Sequence, residues 1–126
     1  MSFVWSEYLD LAKELLASAS GSSIEEAKLR SAISRAYYAV FHEARLFLIA
    51  NRPTLIIPET GAAHDVVKDT FLDDLNPDWI TVGVKLDRLK TNRRLADYKN
   101  PVTGLVNTAT ISMRFADEAI AKLKTL

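Results

Sequence analysis

The stretch Ser23-Ile-Glu-Glu-Ala-Lys-Leu-Arg-Ser-Ala-Ile-Ser-Arg-Ala-Tyr-Tyr-Ala-Val-Phe-His-Glu-Ala-Arg-Leu-Phe-Leu-Ile-Ala-Asn51 decides the fold. Ala27, Leu29, Ala32, Ile33, Ala36, Tyr37, Val40, Phe41, Ala44, Phe47 and Leu48 recur at helical spacing through it, with no Gly or Pro to interrupt them. The spacing predicts one helix of roughly 28 residues, ~42 Å long at 1.5 Å per residue. Ser23 followed by Glu26 reads as a capping box at its start. A helix of that length is the spine around which the rest of the chain packs.

Outward from this spine the apolar period stays helical. Trp5, Tyr8, Leu9, Ala12, Leu15, Leu16 and Ala19 predict a first helix from about Ser2 to Ala19, broken by Ser18 to Ser23. Pro53 and Pro58 exclude helix after the spine, and Leu55-Ile56-Ile57 between them reads as an apolar loop that folds back. Val66, Val67, Thr70, Phe71 and Leu75 predict a short third helix from about Gly61. A fourth begins after Asn76-Pro77, with Asp78 as its expected N-cap, and ends near Tyr98. A fifth runs from Leu105 to the last residues. No strand pattern or repeat occurs, so residues 1–126 read as a single all-α domain, an up-and-down four/five-helix bundle.

Composition narrows the chemistry. With no cysteine in the chain, disulfides, thiolate metal sites and a cysteine nucleophile are excluded. Two histidines cannot build a multi-His zinc site within one chain, and neither Glu-x-x-His pairs nor a Gly-rich phosphate loop occurs. Asp69, Asp73, Asp74 and Asp78 form an acidic cluster, read more simply as a solvated face than as a Mg²⁺ site. No metal and no cofactor is therefore expected. No apolar run approaches the ~20 residues of a membrane span. No secretion signal is legible either, which makes a cytoplasmic location the expectation.

Formal charge sums to zero but alternates in blocks. Met1 to Ala27 has one Lys against five acids, Lys28 to Arg52 five bases against one acid. Pro53 to Trp79 has one Lys against six acids, Ile80 to Lys99 six bases against two. Two basic blocks put a positive face on a neutral bundle, or a salt-bridged solvated surface; the pattern admits both.

One constellation carries chemistry. In Ser34-Arg35-Ala36-Tyr37-Tyr38-Ala39-Val40-Phe41-His42, Arg35 and His42 are seven positions apart, two turns along one face of the spine. A permanent cation and a group titrating near neutrality suit phosphodiester chemistry, the arginine holding phosphate and the histidine moving protons. Their Cα atoms lie ~10 Å apart along the axis, too far to grip one phosphate easily. A two-fold dimer with antiparallel crossing of this helix would bring Arg35 of one protomer to His42 of its partner. The same residues also read as structure, with Arg35 paired to an acid such as Asp97 and His42 a satisfied core histidine.

These residues, followed some fifty positions later by Arg94-Leu95-Ala96-Asp97-Tyr98, resemble the HEPN domains of small prokaryotic proteins. The resemblance covers nearly the whole chain and implies a helical bundle that forms a homodimer through the motif face. It implies a metal-independent endoribonuclease, often a toxin, with RNA as substrate and a minimal nucleotidyltransferase as antitoxin partner. Arg35 would then stabilise the scissile phosphate. His42 would be the general acid or base for attack by the 2′-hydroxyl, leaving a 2′,3′-cyclic phosphate. Tyr38 would stack on a base or orient His42, and is the candidate where such proteins carry AMP on a tyrosine. Asp97 would bridge to Arg35, or Asp97 and Tyr98 would merely buttress neighbouring helices. Lys90, Arg93 and Arg94 would hold phosphates beyond the cleavage site. HEPN domains also serve as non-catalytic modules that bind a nucleotide or a partner protein, and Ala36 stands where the clearest ribonucleases carry a polar residue. Tyr37 reads as core, and His64 as a neutral surface residue in the first turn of the third helix.

Overall fold

The computed structural model describes residues 2–126 as five helices with no strand: α1 (Glu7–Ala17), α2 (Glu25–Asn51), α3 (Ala63–Leu72), α4 (Pro77–Tyr98) and α5 (Leu105–Thr125). They pack as an all-α bundle, and α2 touches each of the other four. Its buried face alternates small and large side chains, with Ala32, Ala36, Ala39 and Ala44 letting neighbours approach while Ile33, Tyr37, Val40 and Leu48 fill the space between. No helix among the described residues is long and apolar enough to cross a membrane.

Helix starts depart from the sequence expectation for local reasons. The first helix begins at Glu7, not near Ser2. Residues 3 and 5 of a continuous helix would point about 200° apart at 3.6 residues per turn. Here the Phe3 and Trp5 rings meet at 4.9 Å and both lie against Tyr8, an arrangement only non-helical backbone allows. The capping box at Ser23 and Glu26 does not form. Instead Gly21, at φ +78°, turns the chain so that its own N–H donates to Glu25 Oε2, while Ile24 N–H donates to Ser22 Oγ. Glu26 pairs with Arg30. At α4 the N-cap is Asn76 rather than Asp78. The Asn76 side chain accepts from Asp78 N–H at 2.9 Å, and Pro77 occupies the first helical position, where its missing N–H costs nothing.

Two contacts fix α3, and through it the loop after the spine. Phe71 is fully buried and meets Phe47 of α2 and Trp79 of α4 at 5.8 and 5.1 Å between ring centroids. At its end, α3 comes so close to α4 that a Cβ on Gly83 would lie 2.9 Å from the Leu72 backbone nitrogen. Arg52 at the end of α2 covers the Trp79 ring and pairs with Asp74. The Pro53–Pro58 loop folds back as expected: Leu55 and Ile57 pack on the core, while Ile56 points to solvent. The acidic cluster is mostly engaged, Asp69 with Lys68, Asp74 with Arg52 and Asp78 with Lys122.

Candidate active site

Arg35 and His42 occupy one stripe of α2, both half-buried, with Tyr38 between them. The Arg35 guanidinium carbon lies 5.0 Å from the Tyr8 ring centroid and 5.5 Å from that of Tyr38, so two aromatic faces hold it by cation–π attraction. Among the described residues Arg35 has no ion pair. The expected bridge to Asp97 is replaced by an intrahelical one: Asp97 stands one turn from Arg93 on α4 and pairs with it at 3.5 Å. Tyr98, at the end of the same helix, is 75% exposed and buttresses nothing.

His42 is not a satisfied core histidine. Its ring stacks face-on against Trp5, 3.6 Å between centroids and 15° from parallel, and its Nδ1 is sealed from solvent without a hydrogen-bond partner. Burial pushes its pKa down to about 4, and the positive charge of Arg45 adds to the effect, with a smaller share from His64. The imidazole is therefore neutral at physiological pH. Trp5 covers one face of that ring, so Trp5→Ala raises the His42 pKa toward its ordinary value near 6.5 in an NMR titration of the ring protons. An unchanged pKa would show that the rest of the bundle, and not the amino-terminal segment, desolvates the ring.

Two side chains join the site that the periodicity did not bring there. Tyr37 is fully buried, as its place on the apolar face implied, but a buried phenol needs a partner for its hydroxyl. That partner is His64 Nδ1 at 2.5 Å. His64 is thus not the surface residue expected from its place in α3; it is half-buried and stacks on Phe41 at 4.3 Å. Its expected neutrality agrees with a pKa lowered by burial first, then by Arg93 and Lys90. Burial in turn pushes the Tyr37 hydroxyl up, keeping it a proton donor. The only sequence signal for this pairing was the need of Tyr37 for a partner.

The three residues expected to hold distant phosphates differ in their freedom. Lys90 pairs with Asp65 at 2.6 Å. Arg93 is largely buried, its guanidinium over Tyr37 and Tyr38 and its Nε without a partner. Arg94 is exposed and, among the described residues, unpaired. Each position is set by the 3.6-residue period of α4, which turns Arg93 inward and Arg94 outward.

Beside His42 opens a cleft of about 450 Å³ between α2, the Pro53–Pro58 loop and the start of α3. Phe41, His42 and Arg45 line it from α2, Ile57 and Pro58 from the loop, and His64 from α3. Both histidines of the chain thus border one cavity. Among the described residues no three His, Cys, Asp or Glu side chains converge to hold a metal ion. Compared with protein-family models, curated proteins and solved structures, the chain matches none.

Proposed function

We propose that this protein is a HEPN-like, metal-independent endoribonuclease that works as a homodimer and leaves a 2′,3′-cyclic phosphate. The observation that carries the reading is a cation without an ion pair and an imidazole on one stripe of α2, with Tyr38 between them. Arginine without an acidic partner keeps its donors for phosphate, and its tyrosine supports hold the guanidinium without neutralising it.

His42, neutral in the free protein because burial lowers its pKa to about 4, acts in this reading as the base. With Nδ1 protonated, Nε2 takes the proton of the ribose 2′-hydroxyl, and the 2′-oxygen attacks phosphorus. Arg35 of the partner protomer stabilises the charge gathering on the phosphoryl oxygens. The bond to the 5′-oxygen breaks, and the proton held on His42 passes to that leaving oxygen, giving a 5′-hydroxyl end and the cyclic phosphate. Atoms and protons balance without a co-reactant. Two protomers are needed because seven residues of helix separate Arg35 and His42 by ~10 Å in one chain. A minimal nucleotidyltransferase as antitoxin belongs to the same reading and rests on the HEPN resemblance alone.

The test is cleavage of a labelled structured RNA in EDTA, with the ends identified. Cutting that persists in EDTA and yields cyclic-phosphate ends is the expected result. The base is neutral above its pKa of about 4, so the rate holds through pH 6 and falls only as acid approaches that value. An acid limb near pH 6.5 would instead mean that RNA or the dimer restores the ordinary basicity of His42. Equal inertness of the protein toward varied RNAs, with or without EDTA, overturns the reading.

A further inference from the structure

The cleft beside His42 is built of two kinds of surface. Ile57 and Pro58 present apolar faces, while His42, Arg45 and His64 on one side and Glu59 and Thr60 on the other present polar ones. At about 450 Å³ it falls within the ~300–1,000 Å³ range of cavities that hold compact ligands and has room for one nucleoside. A purely aliphatic guest would strip water from the imidazoles and return no hydrogen bond. A flat heterocycle with acceptors on its edge satisfies both surfaces.

His64 is fixed for such a role. Tyr37 is fully buried, and its hydroxyl has no acceptor among the described residues other than His64 Nδ1, so it donates there. The His64 proton then sits on Nε2, at the ring edge away from Tyr37. Phe41 stacks on the same ring at 4.3 Å and prevents it from turning. Arg45, one turn beyond His42 on α2, has no ion pair among the described residues and is available to a phosphate.

Resting on the ribonuclease reading above, we infer that the nucleobase next to the scissile phosphate binds in this cleft, its face on Ile57 and Pro58 and its edge accepting from His64 Nε2–H. Arg45 holds the following phosphate, and His64 is a specificity-determining residue rather than a proton carrier.

The test uses full-length protein with ¹³C-labelled Ile and Leu methyls and a dinucleotide made uncleavable by a 2′-deoxy sugar at the scissile position. Ile57 and Leu55 report the cleft, and Ile111, on α5 away from it, is the control. The base-bearing dinucleotide shifts the Ile57 and Leu55 methyls, whereas one with an abasic sugar at that position does not; Ile111 stays put in both. His64→Ala weakens the binding by about 5- to 100-fold, as loss of a buried hydrogen bond implies. Ile57→Trp, which fills the cleft from the loop without touching the Tyr37 contact, blocks it. Equal shifts with and without the base overturn the proposal, as does cleavage of the ribose dinucleotide with the cleft methyls unmoved. Methyl shifts without any cleavage of the ribose form would sink the ribonuclease reading and leave the base site standing.

Discussion

Alanine in place of His42 lowers RNA cleavage by about 10²–10⁴-fold, the contribution of a positioned general base. Arg35→Ala lowers it by about 10²–10³-fold, as expected when a charge-stabilising donor is lost from the transition state. Neither change disturbs the fold much. Arg35 is half-buried and held by two cation–π contacts of ~0.5–1 kcal/mol each, and His42 lies at the edge of the core with an unpartnered Nδ1. The His42 loss appears in kcat, since its proton transfer belongs to the transition state, whereas Arg35→Ala also raises KM because the phosphodiester is already an anion in the ground state. Melting curves matched to wild type separate this outcome from unfolding. Cleavage within about threefold of wild type in either variant would remove that residue from the chemistry.

Phe71→Ala is the substitution expected to cost most stability, about 3–5 kcal/mol for deleting a buried phenyl ring. Phe71 has no exposed surface and joins α2, α3 and α4 through Phe47 and Trp79. The close approach of α3 to α4 at Gly83 leaves little freedom for the cavity to collapse. For a chain of this length the melting temperature falls by roughly 10–20 °C. Leu75→Ala, at a position 96% exposed on the adjoining turn, stays within about 0.5 kcal/mol of wild type. A loss below about 1 kcal/mol for Phe71→Ala would show that α3 is not anchored through this ring. The consequence reaches the site, because α3 carries His64 to Tyr37 and closes one side of the cleft.

The helices were legible because burial repeats along them. Leu29, Ile33, Tyr37, Val40 and Leu48 lie on the inward face that their spacing marks, and the Pro53–Pro58 interruption falls outside any helix. Boundaries were less legible, since each depends on one or two side chains with competing local partners. Ser22 with Glu25 took the place of Ser23 with Glu26, and Asn76 with Pro77 took the place of Asp78. At the amino terminus, stacking of Trp5 on His42 competes with helix continuation, and that partner lies 37 positions away.

The site divides in the same way. The shared stripe of Arg35, Tyr38 and His42 follows from one helix period and could be read directly. Asp97 shows the limit of spacing: an arginine one turn away on its own helix holds it, rather than a more distant one on α2. The Tyr37–His64 pair could not be read, because it depends on how far the proline loop folds back before α3 begins. Periodicity carries no information about that distance.

In the proposed dimer Arg35 and His42 of different protomers form one site, and mixing the two inactive variants distinguishes that arrangement from a site within one chain. In a dimer of one Arg35→Ala chain and one His42→Ala chain, one of the two composite sites keeps both groups. Exchange of equimolar variants makes half the dimers mixed, so RNA cleavage in EDTA recovers to about a quarter of the wild-type rate. No recovery after verified subunit exchange would contradict the composite site and leave Arg35 and His42 as groups acting within one chain or not at all.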